Sequence, residues 1–314
     1  FGYMSGTNSA VRNLTVSGMV SVIGNSYVGG VVGWNSGSGT IENCHNTATV
    51  SESGSDTDIR IGGVVGWNDK GTVKNCSNTG KVSGEGSVGG VVGENSGIGT
   101  VENCYNTGTV SSDNSAADIG GVVGSMLYGD PKGTVKNCYN AGMVKGSAYN
   151  AGGVVGFTYN QNSTIENCYN TGTVNGSSYV GGVVGFAKSE PVIPINSITN
   201  CYYLTGTAAK GIGGSSSSIE NSPQPLTEEK FANKENFIGW DFASTWEMSE
   251  LLGRPILRSN REGGSGTLAS PYEIPDLATL EYYRAKINAD TEGTTYRGAS
   301  YVLTDDIDMS GKYG

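Results

Sequence analysis

One unit recurs along the first two thirds of this chain and limits the fold more than any other feature. It reads roughly Val-Gly-Gly-Val-Val-Gly, a variable stretch, then Gly-Thr-Ile-Glu-Asn-Cys-Tyr-Asn-Thr-Gly-Thr-Val. The Gly-Gly-Val-Val-Gly runs begin at Gly29, Gly62, Gly89, Gly120, Gly152 and Gly181, separated by 27 to 33 residues. A period of that size marks a solenoid or an array, whose units bury a core only by stacking on one another. The stretches that vary between motifs, such as Ser51 to Arg60 and Ser125 to Lys132, read as surface loops.

Within the unit, Thr-Ile-Glu-Asn-Cys and Thr-Gly-Thr-Val are short, β-branched and bounded by Gly and Asn, which predicts strands. The 51 glycines against only 8 prolines, with abundant Val, Thr and Asn, favour many short strands and tight turns over helices. Three strands per unit with turns between them fit one coil of a parallel solenoid. A propeller blade needs four antiparallel strands and about 40 or more residues. The expected class is all-β, a right-handed parallel β-helix of about seven coils with a small mixed α/β C-terminal segment. Three regions follow: 1–207 as solenoid, 208–262 as a solenoid-closing segment and linker, and 263–314 as an opening or cap-like segment of a following unit.

Stacked coils turn equivalent residues into ladders spaced about 4.8 Å apart. An Asn-Cys pair stands at Cys44, Cys76, Cys104, Cys138, Cys168 and Cys201. In the first unit Leu14 takes the cysteine position, Val16 takes that of Asn46, and Val20 aligns with Val50. A slot that accepts leucine is interior, so the cysteines are expected to be reduced and buried, packing as small hydrophobes. Disulfides between coils are disfavoured because parallel side chains stand slightly too far apart at Cβ. A metal centre needs convergent ligands, whereas a ladder spreads them along a line and His45 is the single imidazole. The preceding asparagines (Asn43, Asn75, Asn103, Asn137, Asn167, Asn200) are expected at a bend, with left-handed backbone and amides bonded from coil to coil.

Two outward ladders flank the cysteines. Arg12, Glu42, Lys74, Glu102, Lys136 and Glu166 alternate in charge before Thr199. Neighbouring opposite charges add a few tenths of a kcal/mol each at an exposed site. A slip by one coil would align like charges, so the pattern is expected to set register. Tyr105, Tyr139, Tyr169 and Tyr202 continue a row begun by His45 and Ser77. They are expected to form an exposed aromatic strip, either stabilising the sheet or offering a platform to a sugar or partner protein.

These residues resemble the GLUG-type repeats of large secreted bacterial proteins, which follow a Gly-Gly-(Leu/Val)-Val-Gly…Gly-Ile-x-Asn-Cys-Tyr-Asn-Thr-Gly-x-Val pattern. Such repeats occur in adhesin-like surface proteins and beside IgA-specific metallopeptidases. The resemblance spans about residues 1 to 207, with Val in place of the usual Leu. It implies an extracellular β-solenoid at a bacterial cell surface. Residues 226–258 resemble the segment that closes such solenoids, with Thr227 capping a short helix and Trp240, Phe242 and Trp246 covering the last coil. Residues 267–314 resemble the opening segment, with Asp276 as a helix cap and Leu280, Tyr283 and Ile287 as its apolar stripe. The short Arg261–Gly266 link makes a return to the first coil awkward, so residues 267–314 are expected to pack near the N-terminal coil of a neighbouring copy.

A net charge of −10 argues against a nucleic-acid partner. No run of 18 apolar residues points to a membrane span. The first ten residues carry no starting Met or apolar signal core, so the chain reads as an internal segment or a processed product. No cofactor is expected, and no catalysis, because zinc chemistry has no His-Glu-x-x-His pair to use. A glycosidase would require Asp56, Asp58, Asp113 and Asp118 to converge in one groove. Asp305, Asp306 and Asp308 read as a strand and not as a calcium loop. The expected role is structural or adhesive, with copies of the chain or adjacent modules as partners and a host or polysaccharide ligand beyond them. The alternative is a carbohydrate-acting or protease-associated β-helix of a secreted enzyme.

Overall fold

The computed structural model describes residues 1–17, 21–24, 26–52, 59–127, 133–159, 163–188, 197–216, 222–249, 252–258, 272–274, 277–289 and 299–303. Among these residues the chain winds through stacks of short parallel strands, visiting them in a fixed order. In the second coil the stations are Val32–Ser36, Thr40–Asn46, Thr49–Glu52 and Arg60–Gly62. They belong in turn to an eight-stranded, a thirteen-stranded, a five-stranded and a six-stranded sheet. Each pairs in parallel with its counterpart one coil on or back. This is a parallel β-solenoid.

The thirteen-stranded sheet shows how sequence becomes shape. Thr40–Asn46 passes through Asn43, whose φ is 51°. One coil later the same bend splits the element into Thr72–Lys74 and Ser77–Asn78 around Asn75. Seven asparagines, Asn13 through Asn200, hold φ between 51° and 54° at this bend. Asparagine tolerates that conformation because its short amide bonds locally. The amides also run from coil to coil, Asn43 Nδ2 donating to Asn13 Oδ1 at 3.2 Å and Asn137 Nδ2 to Asn103 Oδ1 at 3.1 Å. The bend turns Ile41 and Cys44, three residues apart, into the same core.

Valines, isoleucines and the cysteines of the eight- and thirteen-stranded sheets form one core, and a second core lies between the five- and six-stranded sheets. Two ladders of buried asparagine run through the structure. Asn46, Asn78, Asn106 and Asn140 each pass an amide hydrogen to the next side-chain oxygen at 2.7 to 2.8 Å, the last of these oxygens being that of Asn170. The second hydrogen of each goes to the backbone carbonyl two residues on, as from Asn106 to Gly108. A buried amide is tolerated only when satisfied in this way. Asn35, Asn68 and Asn95 make a shorter ladder, which Met126 replaces at the next coil. At the corner between the six- and eight-stranded sheets, a Cβ on Gly62 or Gly63 would strike the backbone of Val65 or Gly90, so the double glycine is a steric requirement.

The structure corrects the first coil's alignment. Val22, not Val20, stands opposite Val50, because four residues separate Val16 from Ser21 where two separate Asn46 from Thr49. The sheets also continue beyond residue 207: Ile212–Ser215 extends the eight-stranded sheet and Gln224–Leu226 the thirteen-stranded one. Thr227 then caps the helix Glu228–Phe231. An antiparallel hairpin follows, Trp246–Ser249 with Arg254–Leu257. The helix Leu277–Ala289 packs against the hairpin of its own chain, burying Tyr283 beside Tyr301. Asp276, the Arg261–Gly266 link and the aspartates Asp305, Asp306 and Asp308 lie outside the described residues.

Candidate functional site

The cysteine row is sealed inside. Cys44, Cys76, Cys104, Cys138, Cys168 and Cys201 are unbridged and buried, and Leu14 stands opposite Cys44. Each thiol donates to the carbonyl two residues before it, at 3.1 Å from Cys76 to Lys74 and 3.2 Å from Cys104 to Glu102. Burial pushes the thiols of Cys76, Cys138 and Cys201 well above their ordinary range. A thiol held in that form is a poor nucleophile and a poor metal ligand. Among the described residues, no three of His, Cys, Asp and Glu are grouped to hold a metal ion.

The charge row lies in register, Arg12, Glu42, Lys74, Glu102, Lys136 and Glu166 standing side by side along the thirteen-stranded sheet. Glu42 takes both neighbours, at 2.9 Å from Lys74 Nζ and 2.9 Å from Arg12 Nε. The Lys74 ammonium, aided by Arg12, holds its carboxyl below the usual value. Lys136 reaches Glu166 at 3.5 Å.

The tyrosine row departs from expectation. Tyr105 and Tyr139 stack at 4.9 Å, and Tyr139 and Tyr169 at 5.0 Å. Yet Tyr105, Tyr139, Tyr169 and Tyr202 are buried and no platform for a ligand. The segment after the last coil folds back along this side, so Trp240 and Trp246 cover the whole tyrosine row, the last coil's Tyr202 included. Tyr169 donates its hydroxyl hydrogen to Pro255 O at 2.6 Å, and Trp240 Nε1 donates to Asn200 O at 2.9 Å. Arg254 donates to Thr171 Oγ1 at 2.7 Å. The cause is apolar area: a row of tyrosines too hydrophobic to leave wet is covered by an aromatic clamp from the same chain.

A second strip, unremarked in the sequence, is half-exposed at its aromatic ends and buried through Glu94, Ser125 and Asn150 at its centre. It lies where the six-stranded sheet turns into the eight-stranded one. The first residue of each six-stranded-sheet strand runs Tyr27, Arg60, Ser87, Asp118, Asn150, Tyr179 from coil to coil. Beside it, the eight-stranded sheet presents Tyr3, Trp34, Trp67, Glu94, Ser125, Phe157 and Phe186. Both ends are aromatic: Trp34 stacks on Trp67 at 4.8 Å, and Tyr179 meets Phe186 at 4.5 Å. Arg60 lies over Trp67 and bonds the buried Glu94 at 2.7 Å. The middle is small and polar. Ser125 Oγ donates to Ser87 Oγ at 2.7 Å, and Asn150 Nδ2 to Asp118 Oδ1 at 2.7 Å. Burial pushes the Asp118 carboxyl up to about 6. Aligning the residue before each Val/Ile/Ala-Gly-Gly with the one after each Val-Val-Gly exposes this aromatic–polar–aromatic order. Of the other aspartates considered for catalysis, Asp113 is exposed, and Asp56 and Asp58 lie outside the described residues.

The GLUG motif matches residues 24–51, 57–83, 84–111 and 147–175. The chain carries GLUG repeats. Each matched GLUG repeat is one full coil, since residues 84–111 run from Ser87–Gly89 through Val92–Ser96, Thr100–Glu102 and Tyr105–Asn106 into Val110–Ser112. The corner strip is therefore drawn from the first two strands of successive GLUG repeats. A crystal structure of a candidate immunoglobulin A1 protease from Bacteroides ovatus shares the fold, with a TM-score of 0.56 and 22% identity over 80% of this chain and 75% of that one. Among curated proteins, no sequence match to the chain is found.

Proposed function

We propose that this chain is a non-enzymatic structural or adhesive segment of a bacterial extracellular surface protein, stacking end on with copies of itself or with adjacent modules. The observation that carries the reading is the continuity of its ladders. Core cysteines, bend asparagines and outer charges repeat from coil to coil, so the molecule is a rod whose length is set by repeat number. Repeat proteins of this kind add stability unit by unit and present long faces to partners. The acidic surface, with a net charge of −10, suits a soluble external rod.

A second reading is favoured by one observation, the fold shared with the Bacteroides ovatus protein: a protease-associated or carbohydrate-acting β-helix within a secreted enzyme. Prolonged incubation with immunoglobulin A1 and with a panel of soluble polysaccharides separates the two. The substrates are expected to stay intact. Cleavage that co-purifies with the chain and is lost in Asp118→Asn would overturn the non-enzymatic reading.

A further inference from the structure

We infer that the aromatic corner of the six- and eight-stranded sheets is a lateral contact for a second copy of this chain running in the opposite direction. The inference rests on the adhesive reading above and names its partner.

Apolar area at this corner is concentrated in two patches. At one end Trp34 stacks on Trp67 at 4.8 Å, with Tyr27 at 5.5 and 5.2 Å from them. At the other, Phe186 lies 4.5 Å from Tyr179 and 6.1 Å from Phe157. All six side chains are half-buried, and Tyr149, edge-on to Tyr179, is 48% exposed. The tyrosine row of the thirteen-stranded sheet has a clamp from its own chain. Among the described residues these two patches have no such cover. Contiguous exposed aromatic surface of this kind marks a contact site.

Spacing and area select the partner. The patches are centred four rungs apart along the eight-stranded sheet, or about 19 Å. A half-buried ring can lose roughly 60–100 Å² more, so six rings bury about 400–600 Å² per copy. With both patches engaged, the total of about 800–1,200 Å² reaches the lower edge of specific, transient contacts. One patch alone falls to the size of incidental packing. The partner must therefore carry two aromatic patches at the same separation across a polar gap. This chain is such a surface.

Order and charge select the direction. The two columns have the same character from either end: Tyr27 and Trp34 answer to Tyr179 and Phe186, and Trp67 to Phe157. A two-fold axis across their centre lays each column on itself reversed, which makes the surface self-complementary. Reversal puts Arg60 opposite Asn150 and one rung from Asp118. One rung is the step that Arg60 already spans to reach Glu94 at 2.7 Å. In the next column outward, reversal likewise brings Lys188 within one rung of Asp69. Each contact occurs twice. In a parallel pair the columns cross over, and Asp118 meets the apolar Leu127 instead. Rods that project from facing surfaces meet in the reversed orientation, as adhesion requires.

The variants Ser26→Cys and Ser178→Cys, each one residue before an end tyrosine, test the inference with a short bifunctional maleimide. The six native cysteines are buried from it. Mixed at high concentration, the two variants should yield at least tenfold more crosslinked dimer than either alone. Adding Trp34→Ala or Phe186→Ala to both should cut that yield tenfold, with melting curves showing each variant folded. The crossed product is expected equally in Ala10→Pro, where proline on the outer edge of the first coil blocks end-on stacking. Failure of stacking and failure of this contact are thereby read apart. No dimer from the mixture, equal yield from one variant alone, a crossed product indifferent to Trp34→Ala and Phe186→Ala, or its loss in Ala10→Pro would overturn the inference.

Discussion

At the residue scale, asparagine performs two unlike tasks three positions apart. Asn103 adopts left-handed backbone at the bend, whereas Asn106 is fully buried and spends its amide on Asn140 and Gly108. The first task was legible, because an Asn before every Cys at a strand break signals a bend. The second was not. Val16 at the Asn46 slot marks that slot as interior, but only the stacked structure shows how a neutral amide ladder satisfies itself there. Asp118 shows the opposite case, a buried acid whose carboxyl is raised to about 6. The ordinary value for such a group is 3.8. Between those two values the native state holds a proton that the unfolded chain has released, so stability falls as pH rises through this window and stays low above it. The size is on the order of 3 kcal/mol. Asp118→Asn should therefore unfold at higher urea than the parent at pH 7.5, with the difference shrinking towards pH 4. A difference of equal size at both pH values would show that burial of the charge is not its origin.

At the scale of elements, the strands, their parallel stacking and the inward cysteines follow from the repeat, since period-two alternation says which face each residue takes. What covers a face is a separate question. Tyr169 is reached by Pro255, 86 residues downstream, and no pattern within a repeat encodes that contact. The corner strip was hidden for a related reason: its positions vary in chemistry from coil to coil, Tyr27, Arg60, Ser87 and Asp118 sharing one column. The clamp is separable from the solenoid, because its aromatic cluster shares no side chains with the two strand cores. Trp246 is fully buried against Trp240, Tyr139 and Tyr169. Trp246→Ala removes about 3–5 kcal/mol of packing from that cluster. The hairpin Trp246–Leu257 should then lose hydrogen-exchange protection and the tyrosine row become reachable by a fluorescent hydrophobic dye, while protection of the coil strands Val92–Ser96 and Thr100–Glu102 persists. Uniform loss of protection in clamp and coils alike would show that the two fold as one unit.

At the scale of the whole molecule, the solenoid's two ends decide how it associates. The described strands of the first coil, Tyr3–Ser5 and Ala10–Val16, pair with the second coil on one side, and Ile212–Ser215 and Gln224–Leu226 pair on one side at the far end. Such edges carry unpaired backbone groups that a preceding module or a second copy can extend. The rows are compatible across that junction. Among the described residues Thr199 ends the charge row that Arg12 begins, so no like charges meet. The helix Leu277–Ala289 packs on its own hairpin, and the stacking proposed here uses the edge strands. Thr40 N donates to Ser9 O, and bonding groups alternate along a parallel ladder, so the N–H of Val11 faces the second coil and that of Ala10 faces outward. Ala10→Pro thus blocks the outer edge without removing a bond inside the chain. In sedimentation velocity the parent chain should gain mass with concentration and appear as lengthening rods in electron micrographs, with addition of salt changing this little because the junction is apolar and backbone-paired. Ala10→Pro should remain monomeric over the same range with an unchanged melting temperature. A parent that stays monomeric throughout, or a proline variant that assembles equally well, would place the association elsewhere than at the open edge.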